Sequence, residues 1–210
     1  MLADIGAASQ GRGNPVWGCD QAFGTTHILD RLIPMVAAPA ARTLATRMRD
    51  WARGKERTRD LAKYHFMAAE PKSDSLARLA AAVAAAPESE AEWLLQSLVV
   101  SDRIYRSYRE GHYYDSGYER EEYMKQRFLA EYRLAAARDG TGPKVVLKFG
   151  HWHVFRGVGP SNLQTLGDFV SQFAVANGSR SFHVAIWPYG DPGGYGDIST
   201  WSPKTPKLLA

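Results

Sequence analysis

The chain has little cysteine, no long apolar run and no internal repeat, and each shortage removes a class of protein. Cys19 is the single cysteine among 210 residues. It rules out an internal disulfide and any cysteine-rich zinc or iron–sulfur site within the chain. No apolar stretch approaches the length needed to span a bilayer, and the most hydrophobic segment, Leu76 to Ala86, is short and alanine-rich. It reads as a packed helix. The opening Met-Leu-Ala-Asp-Ile-Gly lacks a basic lead and a continuous apolar core, so no secretory signal is expected. The compartment stays open between cytoplasm and, for a truncated chain, periplasm.

What is present is ordinary in amount. Apolar residues make up 45% and charged residues 23%, with a formal net charge of +4. A single domain over residues 1–188 follows from the length, with a Gly- and Pro-rich irregular tail over 189–210. The basic stretch holds Arg42, Arg47, Arg49, Arg53, Lys55, Arg57, Arg59 and Lys63, mixed with Asp50, Glu56 and Asp60. Cations spread around a helix and interleaved with acids form a solvated face, so nucleic acid is not an expected partner.

Periodicity predicts an α/β protein. A strand is expected over Asn14 to Gln21. A helix should start near Thr26, with Ile28, Leu29, Leu32 and Ile33 on one side, and a basic helix should run from Ala41 to Met67, with Leu44, Met48 and Trp51 inward. Ser73 is placed as the cap of an alanine-rich helix ending near Pro87, and Glu88 to about Tyr108 as the next helix. Gly111 to Gly117 reads as a loop, then Tyr118 to Arg138 as a helix closed by Gly140. Lys144-Val-Val-Leu-Lys-Phe-Gly150 is almost continuously apolar, as a strand buried on both faces would be. A helix from about Asn162 to Ala176, the Asn177-Gly178 turn and a strand from Ser181 to Pro188 complete a βαβ unit. The expected architecture is a mostly parallel sheet with few strands, flanked by many helices. Three strands are too few to match so much helix, so further strands of that sheet are expected outside this chain.

In open α/β sheets ligands bind beyond the carboxyl ends of the strands. One strand brings Asp20 and Gln21 there, and another brings His151, His153 and Arg156. On extended backbone His151 and His153 project to one side. Such a pair can share a metal ion, or one ring can act as general base while its neighbour binds substrate. Without a third ligand His151 and His153 make no firm metal site. Arg156 suits a carboxylate, a phosphate or a developing oxyanion. Tyr113 and Tyr114 sit in a tyrosine-rich loop that either lines a cleft or packs against helices.

The run Lys144 to Gly157, with Gly150-x-x-His153 inside it, resembles the late strand-and-histidine motif of the erythromycin-esterase-like family. That family belongs to a wider group with the Tiki/TraB proteases and the ChaN-type haem-binding proteins. Val16-Trp-Gly-Cys-Asp-Gln21 resembles the family's Trp-Gly-x-Asp strand end, and Arg120-Glu-Glu-Tyr-Met124 its Arg-Asp/Glu-x-x-Met helix start. The resemblance implies an active-site His153, a polar cleft residue at Asp20 and a helix-borne Arg120 facing the cleft. It departs at the family's Gly-Glu-x-x-His first strand, which has no counterpart here, and the chain therefore reads as an N-terminally truncated member. Arg127 also stands where esterase-like members often have asparagine, and His151 where close relatives often have a small residue.

The leading expectation is an ester or amide hydrolase working on a small molecule. His153 would serve as base or polariser, His151 as electrostatic support and Asp20 as orienter, and Arg156, Arg120, Gln21, Tyr113 and Tyr114 as substrate contacts. The alternatives are a non-catalytic binder of haem or a divalent metal, and an inactive fragment. The oligomeric state is not legible.

Overall fold

The computed structural model describes residues 16–57, 74–83, 85–87, 89–159 and 161–184. The described chain is helical, with α1 (Thr25–Leu32), α2 (Pro39–Arg57), α3 (Ser75–Ala82), α4 (Glu90–Arg109), α5 (Tyr113–Asp139) and α6 (Leu166–Ala176). Short 3-10 turns at Ile33–Met35 and His151–His153 interrupt the order. No described helix is long and apolar enough to cross a membrane.

The first four helices close around one apolar cluster. Pro39 opens α2, where its missing N–H costs nothing. Ala41, Ala45, Met48 and Ala52 then follow at helical spacing and are all buried. The inward face is thus mainly alanine, with Met48 as expected and Trp51 only half-buried. Small side chains let α2 lie close against α1 and α3, where Leu29, Leu32, Leu76, Leu79 and Leu98 fill the interior. Arg42 ties the turn before α2 shut by donating to the Val36 carbonyl at 2.8 and 3.0 Å. α4 starts at a serine cap: the Ser89 hydroxyl accepts from the Glu92 amide at 3.3 Å, and Glu90 and Glu92 place negative charge in the first turn.

α5 begins at Tyr113, earlier than the expected Tyr118, so the anticipated loop 111–117 is mostly helix. It ends at Gly140, whose φ of 70° is the left-handed conformation glycine adopts without strain. The inward stripe of α5 carries Met124 and Phe128, which pack against Leu166, Phe169 and Phe173 of α6 in a second apolar cluster. α6 is capped by the Thr165 hydroxyl, which accepts from the Asp168 amide at 3.2 Å, four residues into the expected helix. Asn162, its expected start, instead has a φ of 57° in a tight turn, where Gly159 donates to the Leu163 carbonyl at 2.8 Å.

The expected α/β class is overturned. Among the described residues there is no sheet, only an isolated bridge between Val158 and Gln164. The described parts of the three expected strands are neither helical nor paired. Burial along Lys144 to Gly150 alternates, with Val145, Leu147 and Phe149 on the second cluster and Val146 96% exposed. That is an extended chain buried on one side, not a strand covered on both. Trp17 and Cys19 join the same cluster while Val16 and Gly18 face away. Phe182 and Val184 are exposed, so the βαβ unit across α6 does not form. Residues 58–73, 185–188 and the expected tail 189–210 lie outside the described residues, as does the Ser73 cap.

Candidate active site

Glu121 stands at a place on α5 where an apolar residue belongs. It lies three residues before Met124 and seven before Phe128, on the buried stripe, and is only 5% exposed. A buried carboxylate requires partners, and both of its oxygens have one. Oε1 lies 2.6 Å from Nδ1 of His153. Oε2 accepts from the Leu166 amide at 2.7 Å. Leu166 is the first residue of α6, so the carboxylate also meets the positive end of that helix.

His153 reaches this position because the chain turns after Gly150. The His153 amide donates to the Gly150 carbonyl at 3.0 Å, closing the 3-10 turn. The turn corrects the expectation that His151 and His153 project together. Side chains two apart on a 3-10 turn do not share a side, as they would on a strand. His151 instead lies beside Trp152, with ring centroids 5.9 Å apart. Burial lowers the pKa of His151, and a charge on His153 lowers it further.

Arg120, the neighbour of Glu121, points to the tip of the first extended segment. Its Nε and Nη2 donate to the two oxygens of Asp20 at 2.9 and 2.6 Å. Such a fork is geometrically specific and fixes the guanidinium plane. Burial opposes the charge on Arg120, but its hydrogen bonds to Asp20 together with the negative charge of that carboxylate outweigh it and hold the pKa above its ordinary value. Behind this pair, Gln21 donates to the Tyr105 hydroxyl at 3.4 Å, and burial raises the pKa of that tyrosine.

Between these elements lies a cavity of about 210 Å³, with Gly117, Arg120, Glu121, His153, Trp152 and Leu163 in its wall. A Cβ at Gly117 would come within 2.9 Å of the Leu163 side-chain methyl, which would have to shift to make room. Of the residues expected at a site, Arg120 and His153 meet at the cavity. Asp20 stands behind Arg120 and Gln21 behind Tyr105. Arg156 lies elsewhere, donating to the Ser181 carbonyl at 2.7 Å. Tyr113 and Tyr114 are exposed on the first turn of α5, where Tyr113 packs edge-on against Tyr108, away from the cavity wall.

Among the described residues no group of three or more His, Cys, Asp or Glu is arranged to hold a metal ion. Cys19 is buried, and burial pushes its thiol up to about 11, which makes it a poor nucleophile. Comparison with known protein families, with characterised proteins and with solved structures finds no match.

Proposed function

We propose that the cavity hydrolyses a small, uncharged ester or lactone, with His153 as general base. The observation that carries this reading is the 2.6 Å contact between His153 Nδ1 and the buried Glu121. A carboxylate accepting from Nδ1–H fixes the tautomer, which leaves the lone pair on Nε2 of a ring that lines the cavity. Nε2 takes a proton from water as the water oxygen adds to the carbonyl carbon. The imidazolium so formed is stabilised by Glu121, then returns the proton to the leaving alkoxide as the carbon–oxygen bond breaks.

Arg120 supplies the electrophilic side. Asp20 takes one N–H from Nε and one from Nη2, so the two Nη1 N–H groups and the second on Nη2 are left for an oxyanion developing on the carbonyl. Asp20 also balances the charge of Arg120. A neutral carbonyl therefore suits the site better than a free carboxylate or phosphate. The cavity, about 210 Å³, is smaller than an ordinary ligand pocket, which limits it to a short acyl group.

The test is turnover of short-chain nitrophenyl esters and small lactones. His153→Ala should lower kcat by roughly 10²- to 10⁴-fold. Glu121→Gln should lower kcat while leaving KM close to its original value, because it disturbs the ring and not the substrate. Wild-type hydrolysis at the buffer rate, or equal rates for wild type and His153→Ala, would overturn the proposal.

A further inference from the structure

The segment Lys144 to Phe149 presents an unused backbone. Among the described residues none of its N–H or C=O groups makes a hydrogen bond, although backbone groups of a packed segment ordinarily find partners. One side is committed, since Val145, Leu147 and Phe149 rest on the second cluster. The other side shows Lys144, Val146 and Lys148, all exposed, with Val146 at 96%. A firmly seated extended segment with free edges is a template for another strand.

The charges choose the occupant. A second copy pairing antiparallel about Val146 would set Lys144 opposite Lys148 twice, and a parallel copy would set like beside like. Lysines directly across a ladder repel, so the chain disfavours itself. A strand with acids flanking an apolar residue at alternate positions meets each lysine with a carboxylate and Val146 with a hydrocarbon. We propose that Lys144–Phe149 docks an extended acidic segment of a partner protein by strand addition. Backbone hydrogen bonds supply the affinity, and Lys144, Val146 and Lys148 read the side chains. The surface is distinct from the cavity at Glu121 and His153, and ester hydrolysis is not required for it.

The probe is an acetylated and amidated peptide, Thr-Glu-Thr-Val-Thr-Glu-Thr, titrated into the full chain and followed by fluorescence anisotropy and amide NMR. It should bind at least about tenfold more tightly than the same peptide with lysine for glutamate. The double variant Lys144→Glu, Lys148→Glu should reverse that preference; both side chains are exposed, so it should still fold. A peptide N-methylated at alternate amides should bind weakly, and the shifts should centre on residues 144–149. No binding, equal affinity for the two charges, an unreversed preference or tight binding of the N-methylated peptide would each overturn the proposal. So would a dimer of the chain that the acidic peptide fails to dissociate.

Discussion

The two large apolar clusters are closed by different means. Around Leu29, Leu32, Leu79 and Leu98 the described walls are four helices, and the backbone groups in the interior of each are satisfied within that helix. Around Met124, Phe128 and Leu166 two helices form one wall, and the residues that complete it come from extended segments without a ladder. The first region is held by its own packing and its own hydrogen bonds. The second is held by packing alone along part of its perimeter. The cavity and the free edge both occur in the second region, where chain has not been consumed by secondary structure.

The largest difference should appear on truncation. Leu98 is fully buried at the centre of the first cluster. Leu98→Ala removes contacts on all sides, so chemical denaturation should show a loss of roughly 2–5 kcal/mol. Leu147→Ala in the second cluster removes a side chain that is only half-buried, and should cost about 1 kcal/mol or less. Amide exchange should agree, with Val145 to Phe149 unprotected and the interior of α4 exchanging only through global unfolding. Equal costs for the two leucines, or protected amides at 145–149, would remove the distinction between the regions.

How much of this was legible in the sequence follows the same division. Local signals read well. α1 and α4 lie within two residues of their expected starts, and Gly140 ends α5 as its backbone freedom suggests. Pairing is not local. A run such as Val145-Val146-Leu147 has the composition of a central strand, but a strand exists only if another lies beside it. His153 was legible because a histidine beyond an apolar run is conspicuous. Its partner was not, because Glu121 lies in a charged helix where one more acid attracts no notice. The signal was there in phase rather than in type: Glu121 shares a face with Met124 and Phe128, and an acid on an apolar stripe needs a partner. Arg156, placed near His153 by sequence proximity, is carried off by the turn that brings His153 inward.

The helical side of the second cluster should nonetheless behave as a dry interior, and Cys19 reports on it. Burial raises its pKa from 9.0 to about 11. The folded state therefore keeps a proton that the unfolded chain gives up first. That contribution is complete below pH 9 and is lost as pH rises toward 11. Denaturation midpoints should fall across this window in the wild type, with a shallower slope in Cys19→Ala. Thiol titration of the native protein should be slow and become fast in denaturant. A thiol that reacts freely in the native state would show that solvent enters beside Trp17.

The smallest effect should come from the loop that leads into α6. Asp168 accepts from Gln164 at 2.6 Å, from the Gly157 amide at 2.7 Å and from Gln172 at 2.7 Å. These bonds, that from Gln164 foremost, hold its carboxyl below the ordinary 3.8. A depressed carboxyl stabilises the fold above its unfolded pKa, and that stabilisation fades as pH falls through the folded value. The window is therefore acidic, below pH 3.8, and the side chain is too exposed for a large global effect. The Gly157 amide is the sharper reporter. Its proton resonance should move on acid titration with a midpoint below 3.8, and Asp168→Asn should abolish that movement while leaving α5 unperturbed. Since the loop from Gly157 to Thr165 forms part of the cavity wall, the same variant should raise KM for a short ester more than it lowers kcat. A change confined to kcat would place the loop's influence on His153 itself.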